Sequence, residues 1–139
     1  MGLNIMESDR KEPFSCPFCN PEPAKILIAN DHACAFLDGF PVTPGHSLIV
    51  PKRHIVSFFE ATREEQAALF DLVAEVRRLL LAEHNPDGFN VGINDGTAAG
   101  QTVMHLHIHL IPRYAGDTHD PRGGVRWIMP EKAPYWKRS

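Results

Sequence analysis

Met104-His105-Leu106-His107-Ile108-His109-Leu110-Ile111 decides how this chain of 139 residues is read. Side chains alternate along an extended segment, so a strand over 102–111 sends His105, His107 and His109 to one face. Met104, Leu106, Ile108 and Leu110 go to the other, which is the core face. Three imidazoles in a row have no packing rationale. Each ring carries nitrogens that need partners, and adjacent rings repel once protonated. Two chemistries fit the pattern. A neutral imidazole ligates metals, so the strand can supply ligands to one ion. Alternatively, one ring is a nucleophile that its neighbours orient and polarise.

Just upstream, Asn94-Asp95-Gly96-Thr97-Ala98-Ala99-Gly100-Gln101-Thr102 is a loop of small residues with an amide and hydroxyls at its ends. Its glycines predict a phosphate cradle in which backbone N–H groups approach an anion. Beside a histidine strand, that points to chemistry at phosphorus. Farther out, the apolar runs 25–29 and 33–37 flank the turn pair Asn30-Asp31 and predict a hairpin. The run 46–50 predicts a third strand halted by Pro51, and 89–94 a fourth. The histidine strand is the fifth, closed by Pro112. Between strands three and four, Thr62-Arg63-Glu64-Glu65 has the form of a capping box. Leu69, Leu72, Val73, Val76, Leu79 and Leu80 then make one apolar stripe, ended by Asn85-Pro86-Asp87-Gly88. Strands that pause for one long helix and then resume predict an α+β fold on an antiparallel sheet.

Cys16-Pro17-Phe18-Cys19 holds two of the three cysteines. That spacing suits a metal or a redox pair, and the following Asn20-Pro21-Glu22-Pro23 blocks the helix a redox cysteine uses, so metal is favoured. Cys34, inside an apolar run, reads as a small buried hydrophobe. The composition is that of one globular domain: 43% hydrophobic and 22% charged. A flexible arm is expected at 1–14 and a single domain at 15–139. The arm lacks a signal-peptide core and no apolar run reaches membrane-spanning length, so a cytoplasmic protein without a membrane partner is expected. The net charge of −3 argues against binding duplex nucleic acid. The stretch 112–139 nevertheless carries six cations against three anions, and its Trp127, Tyr135 and Trp136 predict a tail that docks. His46, between Gly45 and Ser47, reads as a hydrogen-bonded structural residue, and His32, His84 and His119 as surface.

The run His105-Leu106-His107-Ile108-His109-Leu110-Ile111 resembles the signature of the histidine-triad (HIT) family. The likeness extends through Ala35-Phe36-Leu37-Asp38, Pro44-Gly45-His46, Pro51-Lys52-Arg53-His54, Gly100-Gln101-Thr102 and Pro112-Arg113. Within the family the chain is most similar to the diadenosine-polyphosphate hydrolases of the fragile-histidine-triad type, and its cysteine pair to zinc-bearing bacterial members. The resemblance implies a HIT-like fold and a homodimer associating through the long helix and strand edges. It implies cleavage at the α-phosphate of a dinucleoside polyphosphate through a nucleotidyl-histidine intermediate. His107 would be the nucleophile, His109 its partner at the phosphate, and Thr102 would sit near the leaving oxygen. Asn94, Gly100, Gln101 and Thr102 would hold phosphate oxygens, Asp38 the ribose hydroxyls, and Phe36 and Leu48 would wall the base pocket. Read without the family, Phe36 and Leu48 are ordinary core and Asp38 an ordinary turn residue. Cys16, Cys19, His54 and His105 would hold a structural Zn2+. His109 in the third triad position implies a hydrolase rather than a nucleotidyl transferase. A purine nucleoside phosphoramidase and a non-catalytic nucleotide-binding regulatory module are the alternatives, and a purely structural zinc-binding protein is a further rival.

Overall fold

Asn30 closes the first hairpin. In the computed structural model, which describes residues 15–137, its side-chain oxygen accepts from the N–H groups of His32 and Ala33 at 3.0 and 2.9 Å. The turn joins β1 (Ile26–Ala29) to β2 (Ala33–Leu37). The arm expected at 1–14 lies outside the described residues. β3 (Ser47–Pro51), β4 (Gly88–Gly92) and β5 (Ile108–Arg113) complete an antiparallel sheet of order β1-β2-β3-β5-β4. The expected α+β architecture, five antiparallel strands and one long helix, is the one observed.

That helix, α1 (Arg63–His84), begins with the predicted capping box: Thr62 Oγ1 accepts from the Glu65 N–H, and the Glu65 carboxylate accepts from the Thr62 N–H. It ends where Asn85 adopts the left-handed conformation at φ 49°. Its stripe buries Ala68, Leu69, Leu72, Val76 and Leu80 against Ala33, Ala35, Ile49, Ile108 and Leu110. Leu79, expected on the stripe, sits at its margin and is 39% exposed; Leu80 takes the buried place. Asn30 Nδ2 donates to the Ala68 carbonyl at 3.0 Å, tying hairpin to helix.

The opposite face of the sheet carries a smaller apolar group, Cys34, Phe36, Leu48 and Val50, with Phe18 and Ile26 against it. Register fixes this face: Ile26, Phe36, Leu48, His109 and Gly92 are successive cross-strand partners over all five strands.

The fifth strand differs from its predicted limits. It starts at Ile108 rather than at 102, because β3 pairs only as far as Ile49↔Ile108. Upstream of that point the Leu106 N–H turns to the Ile55 carbonyl, 2.7 Å away, instead. Alternation still governs burial, since Met104, Leu106, Ile108 and Leu110 are all 2% exposed or less. Nor does Pro112 close the strand, which continues to Arg113. The Pro112 carbonyl accepts from Thr43 Oγ1 at 2.6 Å on the side where β3 has already ended, so the missing proline N–H forfeits no ladder bond. β4 likewise stops at Gly92, short of the expected 94, because its last register partner is His109.

The C-terminal segment docks as predicted and is braced internally by its own hydrogen bonds. Arg126 donates to the Ala133 and Lys132 carbonyls at 3.1 and 2.7 Å, and Ala133 is fully buried. The Arg122 guanidinium lies 4.5 Å from the Trp136 ring centroid. A Cβ at Gly124 would stand 3.2 Å from Asn90 Nδ2, so this segment runs against β4 on the histidine face.

Candidate active site

Each histidine of the triad has one nitrogen assigned by a neighbour, and these bonds determine what the other nitrogen can do. His107 Nδ1 lies 2.9 Å from the His105 carbonyl, so it carries the proton and donates; Nε2 is left with the lone pair. Among the described residues the buried polar side-chain atoms without a partner are His54 Nε2 and Trp136 Nε1. His107 Nε2 has no hydrogen-bond partner among the described residues, and the residue is 8% exposed.

His109 is set by His46, which the sequence reading expected to be a hydrogen-bonded structural residue. The Val42 N–H donates to His46 Nδ1 at 3.1 Å, placing the His46 proton on Nε2. That atom lies 3.0 Å from His109 Nδ1 and 3.4 Å from Asp38 Oδ2. It donates to His109 Nδ1, and His109 therefore carries its own proton on Nε2. Burial, with His107 and His46 close by, pushes the His109 pKa down to about 4, so the ring is neutral at pH 7. Burial also lowers His46, which is 3% exposed, although Asp38 opposes the shift. Alternation was the signal for His46: it shares parity with Leu48 and Val50, as Asp38 does with Phe36 and Cys34.

His105 turns the other way. Its Nε2 donates to the Pro51 carbonyl at 2.9 Å, leaving an Nδ1 lone pair among sulfur and nitrogen atoms. Cys16 Sγ is 3.4 Å from it, Cys19 Sγ 3.5 Å and His54 Nδ1 3.1 Å. Cys19 Sγ is also 3.1 Å from His54 Nδ1, and all four ligand atoms fall within 4.8 Å of one another. This donor set fits a tetrahedral Cys2His2 zinc site with no position open to substrate. Burial pushes His105 down to about 4, which keeps its nitrogen available as a ligand. Burial and the neighbouring Cys16 push the Cys19 thiol up to about 12. Phe18, between the cysteines, stands with its ring centroid 5.1 Å from that of His107 and 5.5 Å from that of Phe36. The knuckle thus reaches over the triad, a contact that composition and spacing did not signal.

The remaining expected residues fall around this centre. Phe36 and Leu48 are 8% and 3% exposed, in one cross-strand row with His109. Asp38 follows β2; its Oδ1 accepts from the Phe40 N–H at 2.9 Å. Asn94 is half-buried just beyond β4, and Thr102 is exposed five residues before His107. Gln101 is 3% exposed with its amide engaged: Oε1 accepts from the Gly96 N–H, and Nε2 donates to the Val56 and Val103 carbonyls. The cradle reading of the loop needs revision accordingly. The N–H groups of Ala99, Gly100 and Gln101 bond to Gly96 and Thr97 carbonyls within the loop, so they are not offered to an anion. The glycines serve the turn itself, Gly96 and Gly100 both standing at φ 96°.

Comparison with known proteins gives a consistent result. The family profile described as the HIT domain matches residues 20–116. The nitrilase and fragile histidine triad fusion protein NitFhit of Caenorhabditis elegans is 40% identical over 112 residues, covering 81% of this chain and 26% of the fusion. An AP-4-A phosphorylase of Mycobacterium tuberculosis is 34% identical over 110 residues, covering 78% of this chain and 56% of its own. Among solved structures, a zinc-bound histidine triad family protein from Mycobacterium smegmatis superposes with a TM-score of 0.69 at 35% identity, covering 77% of this chain and 81% of that one.

Proposed function

This chain belongs to the HIT domain family, and from that premise we propose that it is a nucleotide hydrolase that cleaves dinucleoside polyphosphates at the α-phosphate through His107. One observation carries the reading: the Nδ1–H of His107 is committed to the His105 carbonyl, which leaves the lone pair on Nε2. That nitrogen attacks the α-phosphorus, the P–N bond forms, and the bond to the bridging oxygen breaks with departure of the remaining nucleotide. Water then attacks the same phosphorus and returns the electron pair to Nε2. The His109 Nε2–H donates to a non-bridging oxygen as charge builds there. Asn94 and the Thr102 hydroxyl stand by as further donors. Gly100 and Gln101 contribute the shape of the loop, with Gln101 bracing it from inside. Asp38 receives the ribose hydroxyls while Phe36 and Leu48 wall the base.

The names of two relatives support this substrate class: the fragile histidine triad fusion protein and the AP-4-A phosphorylase. The second name favours a variant of the same first step in which inorganic phosphate, instead of water, accepts the nucleotidyl group. Products separate the two acceptors, since water yields a nucleoside monophosphate from the intermediate and phosphate a diphosphate. The test of the nucleophile is His107→Asn. Turnover of diadenosine tetraphosphate is expected to fall at least about a thousandfold, with AMP affinity nearly unchanged. Undiminished turnover would refute the assignment.

Zn2+ held by Cys16, Cys19, His54 and His105 belongs to the same proposal, supported by the converging ligand atoms and the zinc-bound relative. Its chemistry there is structural: it anchors the segment two residues from the nucleophile. A homodimer is also part of the reading, and β4 offers an edge strand with Val91 43% exposed. Sedimentation equilibrium at micromolar concentration measures it; a monomer would exclude it.

A further inference from the structure

A cleft of about 550 Å³ opens in the C-terminal segment, between Trp127, Trp136 and Pro134, with Arg113, His119 and Lys137 at its margins. It lies on the same side of the sheet as the triad. Alternation along β5 places Arg113 on the face of His109 and Ile111, roughly 13 Å beyond His109. A smaller hollow of about 260 Å³, bounded by Val42, Asn90 and Ile111, shares Arg113 with the cleft and fills the interval. The two meet at Arg113, on the triad's side of the sheet. Phe36 and Leu48 lie on the other side of β5, over β2 and β3. The charge of Arg113 is largely engaged, with Asp117 accepting two bonds at 2.8 Å and Asn90 one at 2.6 Å. His119, Asp120 and Lys137 also line the cleft, and its flat apolar surface is the part suited to a base. One face of Trp136 is covered by Arg122, whereas Trp127 keeps 41% of its surface exposed although its indole N–H is held by the Arg122 carbonyl.

We propose that this cleft is a second subsite, which takes the distal nucleoside of a long dinucleoside polyphosphate by stacking its base on Trp127 while the first nucleotide lies at His107. The proposal rests on the hydrolase reading above for the position of the first nucleotide. Planar aromatic walls accept any base, so the subsite selects for a second nucleoside and for a phosphate chain long enough to reach the cleft, not for base identity.

Trp127 and Trp136 are the only tryptophans in the chain, so intrinsic fluorescence reports this cleft and little else. In a His107→Asn background, diadenosine tetraphosphate is expected to quench the emission saturably, while AMP at the same concentration leaves it unchanged. No quenching, or equal quenching by AMP, overturns the proposal. In the otherwise intact chain, Trp127→Ala should lower kcat/KM for diadenosine tetraphosphate about tenfold, what the loss of one base–aromatic stack is worth. Adenosine phosphoramidate, which lacks a second nucleoside, should turn over at the unaltered rate, and Trp127→Phe should retain most of the dinucleotide rate. Equal losses on both substrates, or none on either, refute the subsite. If the unmutated chain cleaves neither compound, the hydrolase reading fails, and the fluorescence titration still decides the cleft.

Discussion

The Val42 N–H bonded to His46 Nδ1 determines, two rings away, which nitrogen of His109 carries the proton. A relay of this kind works only while both rings are neutral, and burial keeps them so. The sign of the pH dependence follows. His109 titrates at about 4 in the folded chain against an ordinary 6.5, so between those values the unfolded chain binds the extra proton. Its contribution to stability is full above pH 6.5, is lost as the pH falls towards 4, and amounts to on the order of 3 kcal/mol. Urea midpoints at pH 7 and pH 4.5 should therefore diverge more for the unmutated chain than for His109→Asn. Identical pH slopes would show that the ring is not held neutral by its surroundings. The triad itself was legible residue by residue, since alternation alone places three imidazoles together. That His46 would bond to His109, 63 residues away, was not, because no local window pairs the two rings.

Among the elements, the turn into β3 is the most constrained. Gly45 stands at φ +89°, and a Cβ there would lie 3.0 Å from Leu80 Cδ2 and 3.2 Å from both His84 and Pro112. Gly45→Ala thus meets backbone strain and a crowded junction of β3, α1 and β5 together. A loss of about 2 kcal/mol or more is expected by chemical denaturation. A change below about 0.5 kcal/mol would mean that the junction yields easily. The same turn places His46, so activity should fall along with stability. The limits of α1 could be read in advance because caps are local: Thr62 with Glu65 at one end, Asn85 at the other. The limits of β5 could not. Strand ends are decided by the neighbour that accepts each N–H, and for Leu106 that neighbour is Ile55.

Over the whole molecule, the cysteine knuckle clasps the histidine segment. Cys16 and His105 are 89 residues apart in sequence and 3.4 Å apart in space, and Phe18 of the knuckle packs on His107. The purified chain is expected to hold about one zinc per chain. Its removal by a chelator should lower the thermal midpoint by several degrees, and Cys16→Ser should reproduce that loss with only partial loss of turnover. Metal analysis and a thermal melt check both points. A metal-free chain with the same melting temperature would dismiss the clasp. No described helix is long and apolar enough to cross a membrane.

What the sequence by itself determined is what short stretches of chain dictate: the helix with its caps, the hairpin at Asn30, the two faces of the histidine segment, and the chemistry of a Cys-x-x-Cys knuckle. Periodicity and capping need only a few neighbouring residues to act. Tertiary structure alone decided that His46 would meet His109 and that Trp127 and Trp136 would line a cleft with Arg113 of β5. Those outcomes depend on which of several competing partners each polar group or ring meets once the sheet has formed, and the winning partners are mostly far away along the chain.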